Sequence, residues 1–94
     1  MQTTNEANKA SVLEKLEAVR AALTKEPPSP QLTHAVDQCG RLELAIKQFH
    51  AEGLRFAAFT LLRMTLPPTT SLGAPVQSAA QNLKAALNAA GYPH

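Results

Sequence analysis

Residues 54–66 read LRFAAFTLLRMTL, and nine of these thirteen are apolar. Wound into a helix they point in every direction, and a helix that is apolar on all sides is one that protein covers on all sides. Arg55 and Arg63 are its only charges. The stretch is therefore expected to be the central helix of an all-α fold. Phe56 and Phe59 are expected in the core rather than on a nucleic-acid stacking surface, which would need a basic exposed face.

Both ends of the stretch carry breaks. Pro67 and Pro68 close it, and residues 67–75, PPTTSLGAP, are rich in the residue types that turn a chain. On the other side stands Gly53. An unbroken helix from Pro30 to Leu66 would be about 55 Å long, more than a compact domain of this length is wide. The heptad seam of the preceding segment also loses register past Gly53, because Thr60 and Arg63 fall on its later positions. A hairpin turn at Gly53 is preferred over one long helix, glycine being the usual residue just past a helix end.

That preceding segment runs from Pro30. Ser29 followed by Pro30 is an N-cap and a first helical residue, where a missing N–H costs nothing. Leu32, Ala35, Cys39, Leu42, Ile46 and Phe49 then step by three and four, a heptad-like seam. Asp37 with Arg41, and Glu43 with Lys47, are acid-first pairs four residues apart that support a helix by a few tenths of a kcal/mol each. Upstream, Val12, Leu16, Val19 and Leu23 form one stripe with Ala22 beside it, and the prolines of EPPSP stop that helix before Pro27. Downstream, Pro75 suits a first turn, and Val76, Ala80, Leu83, Leu87 and Ala90 form a last stripe that Gly91 and Pro93 end. Lys84 is the only charge of this last helix.

Composition agrees with packed helices. The 94 residues are 45% hydrophobic, chiefly alanine and leucine, with three Phe, one Tyr and no Trp. A net charge of +2 is too small to make phosphate attraction the main theme. Cys39, the single cysteine, excludes an internal disulfide, and the N-terminus lacks the basic, apolar and small-residue order of a secretory signal. The expected setting is the cytoplasm. No apolar run reaches the ~20 residues that span a bilayer, so no membrane partner is expected.

Few residues invite chemistry. His34 and His50 are too far apart for a helical ligand pair, so neither metal nor cofactor is expected. Cys39 lies on an apolar seam, which suits a small buried side chain better than a catalytic thiol. There is no glycine-rich phosphate loop and no nucleophile motif. One fragment resembles a helix-turn-helix: from Leu32, Gly40 falls at the turn, with Ile46 and Phe49 at later apolar positions. Against it, Val36 replaces a small residue, Arg41 stands where an apolar one belongs, Glu43 lies where basic or amide residues begin a recognition helix, and the seam runs through Gly40.

These readings converge on a single domain over residues 1–94, a small antiparallel bundle of three to four helices at about 6–25, 30–51, 54–66 and 75–90. The all-round apolar third helix and the nearly uncharged fourth point to a homodimer or an obligate complex. No catalytic activity is expected. The leading function is a protein-binding regulator, of adaptor, chaperone-like or antiactivator type, that occupies a partner protein's helical interface. Its expected contacts are Leu54, Arg55, Phe56, Phe59, Leu62, Arg63, Met64 and Leu66. The alternative is a DNA-binding regulator acting through Gly40, Arg41 and Lys47.

Overall fold

The computed structural model describes residues 2–48, 50–66 and 72–92, and within them the side chains from residue 8 onward. Its helices are α1 (Gln2–Leu23), α2 (Pro30–Gln48), α3 (Ala51–Thr65) and α4 (Ala74–Ala90), with no strand among the described residues. The chain is thus a small all-α bundle. The stripes read from spacing form its interior: Val12, Leu16, Val19 and Leu23 of α1, Ala35, Cys39, Leu42 and Ile46 of α2, and Val76, Ala80, Leu83 and Leu87 of α4 are all buried.

Helix ends follow local chemistry. Ser29 caps α2, its Oγ accepting from the Leu32 N–H at 3.0 Å, and Pro30 is the first helical residue. Gly91 ends α4 with φ 73°, while the Gly91 N–H donates to the Asn88 carbonyl and the Tyr92 N–H to that of Leu87. This paired closure satisfies two carbonyls at the helix end, and Tyr92 folds back into the core. α1 begins four residues earlier than its stripe indicates, since the polar residues ahead of the stripe also wind into helix.

The junction between α2 and α3 lies at His50, not at Gly53. The His50 N–H donates to the Ala45 carbonyl at 3.0 Å, and its Nδ1 accepts from the Gly53 N–H at 3.0 Å, capping α3. Gly53 sits inside the first turn of α3. A Cβ there would lie 3.0 Å from the capping nitrogen, so the glycine leaves room for the imidazole instead of turning the chain. The expected hairpin forms, with its break moved upstream. Phe49, expected on the α2 seam, and Pro67 and Pro68, expected to end α3, lie outside the described residues.

α1 packs most extensively on α4 and α2 on α3; α1 meets α2 less, and α3 meets α4 least. The body measures 42 × 21 × 21 Å, two helix diameters across each short direction. Cross-links show the pairs to be antiparallel. Gln31, at the start of α2, donates through Nε2 to the carbonyl of Met64 near the end of α3. Glu26, just past α1, accepts through Oε1 from the Gly73 N–H at 3.2 Å. Gly73 is the N-cap of α4 and has no capping side chain of its own. The Glu26 carboxylate instead accepts the N–H of the cap residue itself and places negative charge at the helix N-terminus.

α3 departs from expectation most. Leu54, Ala57, Ala58, Leu61, Leu62 and Thr65 form its buried side, and the Thr65 hydroxyl donates to the Leu61 carbonyl at 2.7 Å. The opposite side is bare: Phe56 is 67% exposed and Phe59 54%. The helix is not covered all round, because α2 and α4 flank it and no described residue lies over its outer face. Phe56 and Phe59 are surface residues, not core.

Two substitutions test this architecture by chemical denaturation. Leu83→Ala removes a fully buried side chain and should cost about 2–5 kcal/mol. Gly40 lies mid-helix with nothing within 4 Å of a built Cβ, so Gly40→Ala should stabilise the protein by about 0.5–1 kcal/mol. A loss there would show that Gly40 marks a turn.

Candidate protein-docking site

The outward face of α3 carries Glu52, Arg55, Phe56, Phe59 and Arg63, all exposed. Glu52, Phe56, Phe59 and Arg63 step by four, three and four, so they share one line along the helix. Amphipathicity puts them there: Leu54, Leu61 and their neighbours claim the inner side and leave these as the remainder.

Open grooves flank this line. Between α2 and α3 runs one of about 360 Å³, lined by Leu44, Ala45, Phe56 and Ala57, with Arg41 and His50 at its edge. A second, about 320 Å³, lies over Glu52, Arg55, Phe56 and Phe59. The third, about 290 Å³, separates α3 from α4 and is lined by Phe59, Leu62, Arg63, Leu66 and Lys84. Phe56 belongs to the first two and Phe59 to the last two, so the phenylalanines join them into one apolar strip. Phe56 and Phe59 are both more than half exposed in this strip, with Glu52, Arg55 and Arg63 interleaved among them.

The eight residues expected from sequence divide accordingly. Arg55, Phe56, Phe59 and Arg63 stand together on the outer face. Leu66 is half-buried and Leu62 nearly buried, both lining the α3–α4 groove. Leu54 is fully buried and belongs to the internal core, and Met64 is partly buried against it. Sequence reasoning missed Leu44, which is 56% exposed, and Glu52. The signal for Leu44 was a large apolar residue off the α2 seam, and for Glu52 its place on the line of Phe56 and Phe59.

The other polar clusters are structural. Arg20 bridges Glu17 at 2.8 Å and Glu43 at 2.9 Å, and Glu43 also pairs with Lys47 at 3.1 Å, tying α1 to α2. The hydrogen bond from Arg20, then that from Lys47, holds the Glu43 carboxyl below its ordinary range. Burial pushes the neighbouring Cys39 thiol up to about 11, so it stays neutral and unreactive. No group of three or more His, Cys, Asp and Glu that could hold a metal occurs among the described residues, and no described helix is long and apolar enough to cross a membrane.

Comparison with known proteins finds no matching family, no matching curated protein and no matching solved structure.

The Glu43 bridge has a definite pH signature. Its carboxyl is depressed in the folded state, so its stabilisation is present above the unfolded carboxylate pKa and lost as pH falls through the lower folded one. Glu43→Gln should therefore melt below wild type at pH 7, and the gap should narrow as the pH falls below the ordinary carboxylate range. A gap independent of pH would show that the loss comes from packing instead of charge.

Proposed function

We propose that this protein is a non-catalytic, protein-binding regulator of adaptor, chaperone-like or antiactivator type, acting in the cytoplasm through the outer face of α3. The observation that carries the reading is the pair Phe56 and Phe59, both more than half exposed on one helix face between apolar grooves. Burying each on a partner would contribute roughly 1.5–3 kcal/mol. Aromatic side chains at i and i+3 are also the spacing with which a helix anchors in a groove or completes a bundle. The DNA-binding alternative gains no support, because α2 runs unbroken through Gly40 and offers no turn there.

Affinity capture with mass spectrometry, followed by titration calorimetry on the purified partner, tests the reading. Phe59→Asp should keep the wild-type helical circular dichroism and weaken binding by about tenfold or more. Added salt should weaken the affinity far less steeply than it weakens binding to nucleic acid. A folded Phe59→Asp variant that binds its partner unchanged would remove α3 from the contact. Binding to nucleic acid that falls steeply with salt would overturn the protein-binding class itself.

A further inference from the structure

We propose that the outer face of α3 is self-complementary and docks on the same face of a second copy of this chain, with the two α3 helices antiparallel. This rests on the reading of that face as a protein contact and names its occupant.

The argument is one of order along the exposed line. From N- to C-terminus it reads acid, phenylalanine, phenylalanine, base: Glu52, Phe56, Phe59, Arg63. A two-fold axis at the level between Ala57 and Ala58 sets each position against the one whose number completes the same sum. Phe56 of one protomer then meets Phe59 of its partner, and Glu52 meets Arg63, each contact occurring twice. Arg55 faces Thr60, so no cation is set against a cation. An isologous interface requires this self-matching. It is also the heptad-like four-three spacing with which helices interlock, flanked by charges that fix orientation.

Two other arrangements set like charges together. Parallel docking would bring Glu52 against Glu52 and Arg63 against Arg63, two like-charged pairs at the rim. An axis moved to the level of Phe59 would oppose Arg55 and Arg63. Charge disfavours these two, and the axis between Ala57 and Ala58 is the one that sets Glu52 against Arg63. The signs at the two ends also suit the α3 dipole, with the acid in its first turn and the base in its last. That alone would leave the two phenylalanines between them bare to water. The α2–α3 groove with its exposed Leu44 extends the apolar area on one side of the line, and the α3–α4 groove does so on the other.

Charge reversal with sedimentation equilibrium tests this. Wild type should associate to twice the 10.0 kDa chain mass. Glu52→Arg and Arg63→Glu each put like charges together, and each should weaken self-association by about tenfold or more. An equimolar mixture of the two should associate as tightly as wild type, because the introduced arginine of one chain meets the introduced glutamate of the other. Carrying both changes in one chain should restore association likewise. Circular dichroism confirms that every variant is folded, and restoration in the mixture cannot come from altered helix stability. A mixture no tighter than its components overturns the proposed register. Wild type that stays monomeric overturns the second copy as occupant, while Phe59→Asp still reports separately on whether the face binds another protein.

Discussion

Each helix of this bundle is held by one apolar stripe, and leucine and alanine fill nearly all of the space where the four stripes meet. That constraint governs the rest. A stripe of four or five side chains covers about one third of a helix's circumference, so each helix needs neighbours on only one side. α1 and α4 match this supply, and α2 exceeds it only at Val36 and Leu44. α3 carries a second set of large apolar residues, and the surplus comes to the surface as Phe56 and Phe59.

The balance explains what the sequence disclosed. Stripes at three- and four-residue spacing located α1, α2 and α4, an apolar run between breaks located α3, and Ser29, Pro30 and Gly91 marked ends through chemistry that is local and therefore legible. The hairpin break was legible only in part. Gly53 drew attention as the one residue suited to a turn, yet the capping was done by an imidazole, which intrinsic preference does not favour at that position. The α4 N-cap was illegible for a different reason. Glu26 lies 47 residues away in sequence from Gly73, and only the antiparallel packing of α1 and α4 brings them together.

Of the eight residues expected at the site, some lie on the outer face of α3 and some in its core. An apolar helix in a short chain has two solutions, full coverage or an exposed remainder, and composition does not choose between them. What chooses is the number of neighbours, a property of topology. With α1 engaged mainly by α4, only α2 and α4 are left to flank α3, and no described residue covers its outer side. Leu54 therefore turned inward and Phe56 outward, although they stand two residues apart.

The pairing of α1 with α4 also sets a timetable. The most extensive helix contact joins the first and last helices of the chain, while α2 and α3 are neighbours in both sequence and space. Loop closure makes distant contacts slow relative to local ones, so the α2–α3 hairpin can form as soon as both helices are made. Much of the α1 stripe, by contrast, waits for α4 to be synthesised. Throughout that interval α1 lacks the helix it packs on most, and part of its apolar stripe is left without its final cover.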